Sequence, residues 1–171
     1  IFLKPAYGGG WKDVYKCDDR DAFFASYDLT RDLAMMAQEA IDFTDYYRCY
    51  VVGREKVHIM PYDPKQPHLL RYENAAKTPI PDAMAARMTR DSLALCATLG
   101  YDLNTCEFAV RDGVPYAIDF MNCAPDADVH SVGATNFDWI VGAMADLLME
   151  RARHPRPFAA TGTWPRKLGL A

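Results

Sequence analysis

The stretch from Glu107 to Phe120 constrains the fold more than any other part of the chain, because its apolar residues alternate on both sides of a single Asp112-Gly113 pair. Strict alternation means a half-buried strand, since successive side chains point to opposite faces. Asp-Gly between two such runs marks a hairpin. Placing Phe108, Val110, Tyr116, Ile118 and Phe120 together on a core face requires an odd loop, as in a three-residue hairpin. Glu107 and Asp119 then fall on the opposite face as direct or diagonal neighbours. Two carboxylates so close repel unless a cation lies between them, and magnesium with oxygen ligands meets that need. Asn122 could add a neutral oxygen. Two unrelated acids on a solvated face, or one carboxylate acting as a general base, are the alternatives that the hairpin leaves open.

Other elements follow from pattern and punctuation. Residues 1 to 5 read as a short apolar strand, and a second covers Val14 to Cys17. Asp18 or Asp19 caps a helix that holds Ala22, Phe23 and Tyr27. Met35 to Ile41 fits either a continued helix or a buried strand by periodicity, and the β-prone run that follows favours the strand. Tyr46 to Val52 is strongly β-prone, and Gly53 turns it into Lys56 to Met60. Five prolines between 61 and 81 mark a long loop. Met84, Met88, Leu95 and Leu99 make one stripe of a helix that runs from Pro81-Asp82 to Leu99, with Gly100 as its C-terminal cap. A last helix spans about Asn136 to Arg153, with Ile140, Met144, Leu147 and Leu148 on its buried side.

Composition narrows the partners. The 171 residues carry a formal net charge of -4, with Lys and Arg scattered rather than striped, which disfavours nucleic acid. No apolar run approaches the roughly 20 residues of a membrane span. The five cysteines form no CxxC pair and read as free thiols in a reducing cytoplasm.

Lys4 closes the first strand and is followed by Gly8-Gly9-Gly10. Glycine backbones can approach a ligand closely and offer N–H groups to phosphate oxygens, and a lysine beside them supplies a point charge. The pattern is neither a Walker A loop nor a dinucleotide fingerprint. A plain turn beside a surface lysine is the other reading.

Taken in order, FLKPAYGGGWKDV, AQEAI, YYRCYVVG, LGYDLNTCEFAV and PYAIDFMNCAPD resemble the ATP-grasp superfamily over about residues 1 to 150. The resemblance is to carboxylate–amine ligases of the ribosomal-protein glutamate ligase and glutathione synthetase type. It implies two α+β lobes with antiparallel sheets enclosing a nucleotide cleft. The small lobe with its glycine flap would cover 1–40, the larger lobe with the metal hairpin 41–153, and a peripheral tail 154–171. It further implies that Lys4, Gly8, Gly9, Gly10 and Trp11 meet the phosphates, and that Gln38, Glu39, Ala40 and Ile41 meet the adenine. Asp45 is the candidate for the ribose hydroxyls, although Tyr46-Tyr47-Arg48 replaces the family's Asp-x-Arg spacing. Arg48, with Lys4, is the implied catalytic group, stabilising the transferred phosphoryl. Glu107, Asp119 and Asn122 are the implied ligands of magnesium, one ion or two, or of manganese in its place.

Two features depart from the family pattern. Asp119-Phe120-Met121-Asn122 has one residue more than the usual Glu-x-Asn, so Asn122 would reach the metal from a bulge, and Cys123 stands where proline is common. The family also carries a further domain before the point where this sequence starts, so a missing N-terminal domain is expected. The implied activity is ATP-dependent activation of a small-molecule or peptide carboxylate, then attack by an amine or a thiol. A phosphotransferase on the same scaffold and a non-catalytic nucleotide-binding module are the rival readings. Homo-oligomerisation is compatible with all three. The segment from His58 to Pro64, with Arg71 and Tyr72, lies where such enzymes approach their acceptor, and packing is its plainer role.

Overall fold

The computed structural model describes residues 1–75 and 78–155, so the tail expected over 154–171 falls almost wholly outside the described residues. The chain separates into two compact units, the first Ile1–Asp42 and the second beginning at Phe43.

The first unit is a three-stranded antiparallel sheet and one helix. Its strands are β1 (Phe2–Pro5), β2 (Tyr15–Lys16) and β3 (Met35–Gln38), in the order β2-β1-β3. Val14 lies outside the second strand, which is shorter than its pattern suggests. Helix α1 (Arg20–Leu29) begins at Asp19, whose carboxylate accepts the Ala22 N–H at 2.8 Å, as an N-cap should. Phe2 pairs with Gln38 and Lys4 with Met36, so these four side chains share one face of the sheet. Leu3, only 2% exposed, lies on the other.

The second unit is built on a four-stranded antiparallel sheet. Strands β4 (Asp45–Val52), β5 (Lys56–Pro61), β6 (Leu103–Arg111) and β7 (Val114–Asn122) lie in the order β5-β4-β6-β7. Helix α2 (Asp82–Leu99) packs on one face, where Tyr47, Cys49, Val51, Cys106, Phe108 and Val110 meet Met88 and Cys96. Gly100 ends that helix in the left-handed region, φ 82°, and its N–H bonds to the Cys96 carbonyl at 2.9 Å, so the capping expectation holds. A short helix α3 (Val129–Val132) leads into α4 (Ala134–Arg153). Helix α4 approaches the other face of the sheet through Trp139, whose ring stacks on His58 at 4.7 Å. It starts two residues before Asn136. Ile140 and Ala143 are its buried residues, whereas Leu148 is 63% exposed and not on the buried side expected of it.

The hairpin itself differs from the expected one. Arg111 pairs directly with Val114, leaving a two-residue turn in which Asp112 (φ 53°) and Gly113 (φ 72°) are both left-handed. This is the mirror-image turn that suits strand twist. Parity is shifted within β7 instead. Phe108 pairs with Ala117 but Glu107 with Asp119, so Ile118 is an extra residue, and a second lies between Asp119 and Asn122. Tyr116 therefore pairs with Ala109 on the face away from α2, where the Arg111 guanidinium lies 4.9 Å from its ring centroid. It does not join Phe108 and Val110.

Candidate functional site

The register of the second sheet sets one continuous row of side chains across three strands. Arg48 on β4 is the direct partner of Glu107 on β6, and Glu107 is the direct partner of Asp119 on β7. Asn122 pairs with Thr105, two residues from Glu107, so it belongs to the same face. The three oxygen-bearing side chains expected to hold a metal thus share a face, and the bulge expected before Asn122 is present.

The row is buried at one end and open at the other. The Arg48 and Glu107 side chains are 8% and 12% exposed, with Arg48 Nε 3.3 Å from Glu107 Oε1, and Asp119 is exposed. Tyr46 donates its hydroxyl to Glu107 Oε2 at 2.7 Å. Arg48 Nη1 donates to the Tyr72 hydroxyl at 2.8 Å. Burial pushes the Glu107 carboxyl above its ordinary range, against the pull of Arg48 and the Tyr46 hydroxyl. Burial also works against charge on Arg48, but Tyr72 and Glu107 outweigh it and the guanidinium stays protonated. Burial beside Glu107 raises the Tyr46 phenol well above its ordinary value, so Tyr46 is a donor throughout the neutral range.

The donor set suits a hard divalent cation. Two carboxylates and an amide oxygen offer only oxygen ligands, and each carboxylate oxygen of Glu107 keeps further lone-pair capacity beside its single partner. Among the described residues no three His, Cys, Asp or Glu side chains gather into a metal-holding group. Three protein oxygens would leave the other positions of a six-coordinate cation to water or phosphate, as magnesium prefers.

Two further residues shape this face: Asn104, which pattern reading missed, and Tyr72, which the sequence reached only within the expected acceptor segment. Asn104, fully buried, donates to the Phe120 carbonyl at 2.8 Å and accepts the Asn122 N–H at 2.8 Å, clasping the bulged end of β7. Its position at the foot of β6, just after the helix cap, gave no hint of that contact. Tyr72 comes from the proline-rich loop. There Tyr62 stacks edge-on against Tyr72 at 5.0 Å, while the Arg48 and Arg71 guanidinium carbons lie 5.5 and 5.8 Å from the Tyr62 ring centroid. His58 is a packed residue, bonded to Asn136 at 2.8 Å as well as stacked on Trp139.

The remaining expected residues are placed as follows. Asp45 has the parity of Tyr47 and Cys49, so it does not belong to the Arg48–Glu107–Asp119 row. It lines a hollow of about 210 Å³ at the start of β4, with Phe43, Tyr46, Tyr62 and Lys65 among its walls. In the first unit Lys4 is half-buried on β1, and Gly8, Gly9 and Gly10 form the exposed link to β2. Trp11 meets the ring of Phe2, on the Lys4 face, edge-on at 6.3 Å. Gln38 ends β3, and Glu39, Ala40 and Ile41 follow it.

No family model matches the chain, and no curated protein matches it in sequence. Solved structures do match. D-alanine–D-alanine ligase from Bacillus anthracis complexed with ATP superposes with a TM-score of 0.68 at 17% identity, over 92% of this chain and 53% of the ligase. Another structure of the Bacillus anthracis ligase gives 0.66 at 18% identity, over 89% and 53%. The Helicobacter pylori ligase gives 0.62 at 16%, over 86% and 48%. The chain spans about half the length of these ligases. Two antiparallel sheets with their helices and a superposition over nine-tenths of the chain give it the fold of part of these ligases, a partial ATP-grasp fold.

Proposed function

We propose that the chain is the ATP-binding core of a ligase that joins a carboxylate to an amine or a thiol by way of an acyl phosphate. The observation that supports this most is the Arg48–Glu107–Asp119 row, a guanidinium and two carboxylates on consecutive strands of a fold shared with an ATP-complexed ligase. In this reading Glu107, Asp119 and Asn122 hold the divalent cation. Magnesium bound there would neutralise phosphate charge and orient the leaving group. Lys4 and the backbone of Gly8 to Gly10 take phosphate oxygens, with Trp11 beside them. Gln38 to Ile41 present backbone groups to the adenine, and Asp45 takes the ribose.

The chemistry asks the protein for positioning and charge rather than for a nucleophile. A substrate carboxylate oxygen attacks the γ-phosphorus, the bond to the bridging oxygen breaks, and ADP leaves. Arg48 stabilises the charge on the phosphoryl group in transfer. The amine or thiol then attacks the acyl carbon, and inorganic phosphate departs with the bonding pair.

Hydroxylamine trapping tests this reading. The full-length protein, given ATP, magnesium and a panel of amino-acid and peptide carboxylates, should form a hydroxamate with at least one of them. ADP release with no hydroxamate from any turned-over substrate would instead identify transfer to a non-carboxylate group.

A further inference from the structure

The Tyr72 hydroxyl is the hydrogen-bond acceptor for Arg48 Nη1, at 2.8 Å and away from solvent. Tyr72 itself is 8% exposed. Its ring is fixed on the far side by Tyr62, whose hydroxyl in turn accepts from Arg71 Nη1 at 2.9 Å. The loop that carries them is closed by Asp63 N–H to the Arg71 carbonyl at 2.8 Å and by Arg71 Nε to the Gln66 carbonyl at 3.0 Å. Burial pushes the Tyr72 phenol up to about 12, so it is a neutral acceptor at every working pH.

A guanidinium carries five N–H donors in a rigid plane, and two points are needed to fix that plane. Tyr72 supplies one as a hydrogen bond at Nη1, and Glu107 Oε1 the other as a charge 3.3 Å from Nε, with no hydrogen bond there. The remaining donors are then held in one orientation toward whatever anion meets this face. Tyr72 also lines a cavity of about 360 Å³ with Leu69, Glu73 and Ser131 among its walls. The hydrogen-bond partner of Arg48 therefore also borders open space.

We propose that Tyr72 is a positioning residue for Arg48, coupling the 62–75 loop to the group that stabilises phosphoryl transfer. This rests on the ligase reading given above. Preorganising a buried cation before the reaction lowers the barrier rather than tightening nucleotide binding, so the effect belongs in kcat.

The test is a double-mutant cycle in the full-length protein with Tyr72→Phe and Arg48→Ala. Tyr72→Phe should lower kcat about tenfold, with the KM for ATP within about twofold of wild type, as loss of one charge-assisted hydrogen bond allows. In the Arg48→Ala background it should change nothing further. Independent, multiplicative losses, or an unchanged kcat in Tyr72→Phe, would overturn the proposal. Nitrogen NMR of the Arg48 guanidinium, assigned by its disappearance in Arg48→Ala, decides the point without any turnover. Wild type should show separate, slowly exchanging Nη signals that merge in Tyr72→Phe, and signals unchanged by that substitution would also overturn it. A wild-type protein that makes no ligated product would count against the ligase reading, and the NMR result would still decide whether Tyr72 orients Arg48. A purely structural Tyr72 would lower the melting temperature while leaving the merged-signal effect and the kcat loss absent.

Discussion

Glu107 and Asp119 are direct cross-strand partners on β6 and β7, one nearly enclosed and the other open to solvent. Their pairing places unlike environments side by side. Glu107 already has a phenol and a guanidinium on its oxygens, while Asp119 is exposed at the end of the row.

Removing the positive charge beside Glu107 should cost stability. Arg48→Ala leaves the Glu107 carboxylate buried without its counter-charge, a change worth about 3 kcal/mol. Urea denaturation of the metal-free chain measures it. A loss under about 0.5 kcal/mol would mean that solvent already screens the pair.

Glu107 sets a pH dependence of known sign. Burial raises the folded-state pKa of Glu107 above its unfolded value, so the folded protein binds the proton more tightly than the unfolded one. The contribution to stability is full below the unfolded value, about 4.3, and is lost as pH rises through the higher folded value. Metal-free wild type should therefore lose stability across that window relative to Glu107→Gln. Parallel stability curves for the two proteins would contradict the assignment.

Asn104 should prove a costly residue to remove. Asn104→Ala frees the Phe120 carbonyl and the Asn122 N–H at a buried position, a loss of about 2–3 kcal/mol. Amide exchange should speed up most at Asn122, and an Asn122 amide as protected as in wild type would show that β7 keeps its bulge without the clasp.

Lys4 is expected to act on nucleotide rather than on folding. Lys4→Ala should weaken ATP binding about tenfold, the value of one lost charge-assisted contact, with a melting temperature close to wild type. Equal ATP affinity in a calorimetric titration would remove Lys4 from the phosphate site.

The parts of this fold that could be read from sequence are those written in local chemistry. The stripe through Met84 and Met88, the glycine after Leu99 and the Asp-Gly turn each name their element by spacing or by backbone conformation. The face shared by Glu107, Asp119 and Asn122 was also legible, but by an incomplete route. An odd hairpin loop was inferred to keep Tyr116 with Phe108, whereas the turn is even and β7 changes parity at Ile118. Alternation alone does not distinguish a shift in the loop from a shift in the strand. Tyr46 and Asn104 were not legible as site residues, and Tyr72 only as part of the acceptor segment, because each acts through a partner at least 16 residues away. Loops such as 62–75 have no period from which those partners can be counted.

Calorimetric titration of ATP into wild type and Asp119→Ala, each with and without magnesium, tests the central claim most directly. The account predicts that magnesium strengthens ATP binding in wild type and has no such effect in the variant, whose exposed position leaves its melting temperature unchanged. A variant that binds ATP with magnesium as tightly as wild type would contradict it.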